Sequence, residues 1–199
     1  MADETMKKKP KKVKRVAWGI TGSGDRLVEV IAIMKQIKKQ YQDDVRITVY
    51  LSAAGNQVVH FYKLAKDLKE NFEKVRVEVN SNVPTLAVQM QSGKIEFLLI
   101  APTTANTVAK IVAGITDTLL TNATIMSLKS FVPVYIVPCD YKEGTTVTQL
   151  PDGSEMKIRV RKEDVERTKK LASMDGIFIL EQPEEIQQVF KKHFKTGKA

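Results

Sequence analysis

Short apolar runs alternate along this chain with segments of helical spacing, and that alternation leaves few folds open to it. Residues 13–20, 46–51, 75–79, 97–100 and 134–137 read as strands. The run Phe97-Leu-Leu-Ile100 is apolar throughout, as a strand covered on both faces must be, and 134–137 is bounded by Pro133 and Pro138. Between the first two runs, Leu27, Val30, Ile31, Met34 and Ile37 recur at spacings of three, one, three and three, the stripe of an amphipathic helix. Further helices are expected over 57–68, around 86–91, and over 104–129 with a break near Gly114. Such an order predicts an α/β fold: a doubly wound, Rossmann-like or flavodoxin-like parallel sheet flanked by helices.

Past Cys139 the pattern changes. Residues 145–148 and 157–161 flank Pro151-Asp-Gly153, which is hairpin chemistry. A charged helix over 163–171, an apolar strand over 177–180 and a helix after Pro183 complete the pattern. The hairpin, about 141–161, is expected as a C-terminal excursion, serving as a cover over a site or subunit contact or as a plain surface insertion. The expected division is a basic disordered tail at 1–12, one domain over 13–195 and a tail at 196–199.

The formal charge of +9 sits at the two ends. Residues 1–15 carry a net +5 and residues 191–199 a net +4, so the body is formally neutral. That argues against a basic nucleic-acid groove on the folded domain. No stretch approaches the ~20 apolar residues of a membrane helix, and the basic start lacks a secretory apolar run, so a cytoplasmic protein is expected. Cys139 is the single cysteine; alone it forms no intramolecular disulfide and holds neither an iron–sulfur cluster nor a structural zinc. No metal site is expected, and redox chemistry would need a bound cofactor.

Two motifs stand at strand ends, where open α/β sheets bind ligands. The first is Ala101-Pro-Thr-Thr-Ala-Asn-Thr107, in which Pro102 is expected to end the strand by removing a ladder donor. Thr103, Thr104, Asn106 and Thr107 offer uncharged donors, which suit a ring edge or a sugar chain better than a metal. Thr103 or Thr104 taken singly serves equally well as a helix cap. The second is Gly19-Ile-Thr-Gly-Ser-Gly24, whose glycines let the backbone approach a phosphate and whose Ser23 hydroxyl can donate to it. A tight turn without a ligand is the alternative. The loop lacks the Gly-Lys-Ser/Thr of a Walker A motif, Leu27 stands where a dinucleotide fingerprint has its third glycine, and the second strand ends in Ser52 rather than a carboxylate. These absences favour a mononucleotide. Asp25 would repel a phosphate unless its side chain turns away, for instance to cap the next helix.

The segment 101–107, followed by Ala109-Lys-Ile-Val-Ala-Gly114 and Asp117-Thr-Leu-Leu-Thr121, resembles the Pro-Ala-Ser-Ala-Asn-Thr region of the homo-oligomeric flavin-containing cysteine decarboxylase superfamily. Its opening, Val16-Ala-Trp-Gly-Ile-Thr-Gly-Ser-Gly-Asp-Arg26, is most similar to archaeoflavoproteins and the flavoprotein type of dihydromethanopterin reductase. The resemblance covers roughly positions 13–140. It implies FMN as cofactor, with Gly22, Ser23, Gly24 and Ser52 at the phosphate and ribityl chain, and Thr104, Asn106 and their neighbours Thr103 and Thr107 at the chain and flavin ring. It also implies a homo-oligomer whose subunits complete the pocket.

Departures from the pattern sort the activities. On an ungapped alignment Val88 replaces the histidine of the decarboxylase branch, and Val137-Pro-Cys-Asp140 stands in place of its Pro-Ala-Met-Asn loop. The Thr-Thr-Ala-Asn-Thr run is unlike the matching segment of flavin prenyltransferases. The resemblance therefore implies an FMN oxidoreductase with no obligatory catalytic side chain, accepting electrons from a donor such as an acidic ferredoxin and passing them to an acceptor, a pterin in the reductase branch. A non-enzymatic flavin carrier or redox-complex subunit is the alternative. Trp18, His60 and Cys139 each admit a role beside the flavin or a plain one, as core, exposed and buried-thiol residues respectively.

Overall fold

The computed structural model describes residues 13–194. The expected tails at 1–12 and 196–199 therefore lie outside the described residues. In chain order the strands are β1 (Lys14–Ile20), β2 (Val45–Leu51), β3 (Lys74–Val77), β4 (Leu98–Thr103), β5 (Val134–Pro138), β6 (Gly144–Gln149), β7 (Glu155–Val160) and β8 (Ile177–Ile179). The helices are α1 (Leu27–Gln40), α2 (Ala53–Phe61), α3 (Ala65–Asn71), α4 (Leu86–Gln91), α5 (Ala105–Val112), α6 (Leu119–Lys129), α7 (Lys162–Ala172) and α8 (Glu185–His193). Six strands form one parallel sheet in the order β3-β2-β1-β4-β5-β8, while β6 and β7 make the antiparallel hairpin expected around Gly153.

Alternating side chains of the central strands enter two separate cores, the signature of a doubly wound α/β fold. Val16, Trp18, Ile20, Val49, Phe97 and Leu99 pack with the buried stripe of α1 and with Ile186, Val189 and Phe190 of α8. Ala17, Leu98, Ile100, Val134 and Ile136 face the other way, onto α4, α5 and α6. The buried stripe is the main signal for α1, since Arg26 at its start offers no side-chain cap, while the Asp25 carboxylate accepts the Arg26 amide just before the first turn.

Two sequence expectations need correction. The helix expected over 57–68 is two helices. Ser52 Oγ accepts the Gly55 amide at 2.9 Å, so α2 starts at Ala53, and it closes when the Lys63 and Leu64 amides reach back to His60 and Val59. That closure needs a left-handed residue, and Lys63 takes it at φ 58° where a glycine is usual. Nor does Pro102 end β4. The pairing with β5 slips between Ile100 and Thr103, Cys139 donates its amide to the Thr103 carbonyl at 3.0 Å, and Pro102, which lacks a donor, still accepts the Thr21 amide.

Near the amino end of the sheet, α8 docks through Phe190 and Phe194 onto Phe97, and Tyr135 Oη lies 2.9 Å from His193 Nε2. Burial, reinforced by Lys192 and Lys14, outweighs nearby Glu96 and holds the His193 imidazole below its ordinary range, so the folded state prefers it neutral. The unfolded group titrates near ~6.5. The stability this residue contributes is complete above that pH and is lost as pH falls toward the depressed folded value. His193→Gln is expected to flatten that part of the stability curve. Unfolding free energies of both proteins between pH 7.5 and 5 test this (~2.5 pH units spanning the titration); parallel curves would contradict it.

Candidate cofactor site

The chain leaves β1 for β2 on one side of the sheet and reaches β4 on the other, so the crevice between them opens at the carboxyl ends of the strands. A residue following each of the first four strands meets there: Gly22 after β1, Ser52 after β2, Glu78 after β3 and Thr104 after β4. With Asn106, Thr107 and Lys110 of α5 and with Thr118 and Leu120 at the start of α6, they enclose a cavity of about 370 Å³, a size suited to a small organic ligand.

Hydrogen bonds tie this wall into a near-continuous ring. Thr21, 1% exposed, donates its hydroxyl to the Pro102 carbonyl and accepts the Thr104 amide, each at 2.9 Å. The Ser52 amide reaches the Ile20 carbonyl at 3.0 Å. Glu78 then bridges outward, taking the Ala53 amide on Oε2 at 3.0 Å and the Leu119 amide on Oε1 at 2.9 Å. Thr118 and Thr121 form a capping box on α6. Lys110 closes the ring through Asp117, with Nζ 2.7 Å from Oδ2.

Of the residues anticipated from the sequence, Gly22, Ser52, Thr104, Asn106 and Thr107 share this cavity. Thr104 also caps α5, accepting the Thr107 amide at 3.3 Å, and its hydroxyl lies 3.1 Å from that of Thr107. Asn106 is exposed and its amide makes no hydrogen bond among the described residues, which leaves it for a ligand. Gly22 is required sterically, because a Cβ there would stand 2.6 Å from that of Ala54.

The other three lie aside. Thr103 is fully buried in the sheet and donates its hydroxyl to the Ile100 carbonyl at 2.7 Å. Ser23 accepts a hydrogen bond from the Cys139 thiol at 3.1 Å, and Gly24 lies against the ring of Tyr62. Burial pushes that thiol up to about 12, so Cys139 is protonated at neutral pH. Burial also raises the Asp25 carboxyl, and Arg26, 3.8 Å away, only partly offsets it; Asp25 is no part of the cavity wall. Trp18 is core, fully buried with its indole N–H on the Ala101 carbonyl at 2.8 Å, and His60 is exposed on α2.

Sequence reasoning missed Glu78, Lys110 and Thr118. Lys110 carried a signal: it follows Asn106 by four residues and Thr107 by three, which puts all three on one helical face. The wall is thus rich in hydroxyl and amide donors with one cation, Lys110. No cluster able to hold a metal ion occurs among the described residues, nor is any of their helices long and apolar enough to cross a membrane.

The sequence profile of the Flavoprotein family matches residues 4–198. An uncharacterized protein of Methanocaldococcus jannaschii is 47% identical over 184 residues, spanning 92% of this chain and 98% of its own length. A dihydromethanopterin reductase (acceptor) of the same organism is 30% identical, with 88% of this chain and 95% of that one covered. Among solved structures, DmrB of Burkholderia xenovorans in complex with FMN, described as a cubic protein cage for redox transfer, superposes with a TM-score of 0.76 at 29% identity over 92% of this chain and 96% of that chain.

Proposed function

We propose, from the premise that this chain belongs to the Flavoprotein family, that its cavity holds FMN and that the protein is an FMN-dependent oxidoreductase of the dihydromethanopterin reductase type. The observation that carries the reading is a cleft at the sheet's switch point walled mostly by uncharged hydroxyl and amide groups, with Gly22 packed so closely against Ala54 that no side chain fits at residue 22. Such a set suits the group. Hydroxyls of Ser52, Thr104 and Thr107 and the Asn106 amide would hold the ribityl chain and ring edge, and the backbone at Gly22 would approach the phosphate. Bound there, FMN supplies two-electron chemistry that it can relay singly or as hydride. The protein's part is to bind, orient and shield it. A dihydropterin acceptor and an iron–sulfur donor such as ferredoxin are the partners proposed, in the cytoplasm.

Exposed Val77 and Val79 flank Glu78 at the cavity's edge, 42% and 75% accessible, which supports closure of the site by a second copy of the chain. Val88 is exposed on α4, and among the described residues no histidine lines the cavity, which supports redox use of the flavin over cysteine decarboxylation. An electron carrier without its own substrate is the second reading; turnover of a dihydropterin with a reduced donor under anaerobic conditions separates the two.

Purified protein should be yellow. Ser52→Ala and Asn106→Ala are each expected to weaken FMN binding by up to about tenfold, the worth of one hydrogen bond, without unfolding the chain. Ser52→Ala should in addition lower stability by about 1 kcal/mol through loss of the α2 cap. Isothermal titration of apoprotein with FMN measures the first effect, and unchanged affinity in both variants would count against the assigned site.

A further inference from the structure

Three ionisable side chains stand around the cavity in an order the fold sets. Glu78 lines it and gives both carboxylate oxygens to backbone amides, those of Ala53 and Leu119, at the N-termini of α2 and α6. It cannot turn away without orphaning two N–H groups, so its charge is immobile. Lys110 lines the same cavity and is 24% exposed, whereas its partner Asp117, at 53%, is no part of the lining. The set thus holds two carboxylates and one ammonium, of which Lys110 and Asp117 are paired.

Resting on the FMN reading above, we propose that Glu78 is a potential-setting residue. Its carboxylate opposes the negative charge that two electrons and one proton leave on a reduced isoalloxazine, Lys110 favours that charge, and Asp117 tempers Lys110. The wall as a whole then holds the cofactor at a low potential, one served by a strongly reducing donor.

The test is the midpoint potential of the full chain reconstituted with FMN, titrated anaerobically with dithionite against an indicator dye. Glu78→Gln and Asp117→Asn are each expected to favour reduced over oxidised FMN by about tenfold in the ratio of dissociation constants, a rise of ~30 mV for a two-electron couple. Lys110→Met is expected to move the ratio by a similar factor the other way. Opposed signs are the signature of charge. If Glu78 only braced the two helices, its loss would weaken both redox forms alike and leave the midpoint in place, which overturns the proposal; so does a rise in Lys110→Met. Should Glu78→Gln fail to fold, the Lys110 and Asp117 variants, altered at a partly exposed pair, decide by the same signs. Wild-type protein that takes up no FMN overturns the FMN reading and this inference with it, while normal uptake with three unmoved midpoints overturns this inference alone.

Discussion

Gly22→Val is expected to empty the cavity of FMN while leaving the sheet folded. The added Cβ would meet that of Ala54 at 2.6 Å, well inside contact distance, and Ala54 sits on the first turn of α2, so no flexible side-chain end can give way. Either the β1 loop or α2 must retreat, and both carry wall residues, Thr21 on one and Ala53 and Ala54 on the other. Overpacking of this kind costs about 1–3 kcal/mol. Charged to the binding-competent arrangement, that is a loss of roughly 10- to 100-fold in FMN affinity, with the two added methyls favouring the upper figure. Gly22→Ala should be intermediate. Flavin absorbance retained through gel filtration reads the effect, and far-ultraviolet circular dichroism checks the fold. Stoichiometric flavin in the valine variant would show that the loop plays no part in the site.

The largest loss of stability is expected from Trp18→Ala. The indole is fully buried in β1, meets Phe72 edge-on at a centroid distance of 5.3 Å, and donates to the Ala101 carbonyl. Deleting it leaves a cavity worth about 3–5 kcal/mol, which for a chain of this size lowers Tm by roughly 6–20 °C. The loss does not stop at the core. Ala101 leads directly to Pro102 and Thr104, which Thr21 grips, so loosening its carbonyl frees the segment that presents Thr104 and Asn106. FMN release is therefore expected at temperatures below global unfolding. Trp18→Phe, which keeps most of the volume but not the N–H, should recover much of the Tm and less of the flavin retention. Equal recovery of both would place the indole N–H outside the site's support.

The same physics explains what could be read in advance. Strands buried on both faces must be apolar throughout, so β4 and β5 announced themselves, and the stripe of α1 was visible at its own period. Gly22, Ser52, Thr104, Asn106 and Thr107 were legible because each follows closely upon such a run, where polar side chains have no place in the core. Glu78 was not, because it follows an edge strand whose residues are mostly exposed, and there a carboxylate looks like ordinary surface. Its meaning comes from the starts of α2 and α6, which lie 25 residues before it and 41 after it in the chain. Lys63 hid the break between α2 and α3 because the left-handed position carries no glycine to mark it. Pro102 misled for a related reason: proline forbids a donor, yet here its neighbours supply the pairing and it contributes an acceptor.

Every wall residue of the cavity comes from the chain up to Leu120. The wall is thus drawn from the end of β1 through the first turn of α6 and from the loops between them. The β6–β7 hairpin and α8 add nothing to that lining, so a substitution on their outward faces can alter the molecule's exterior and leave the compartment as it was.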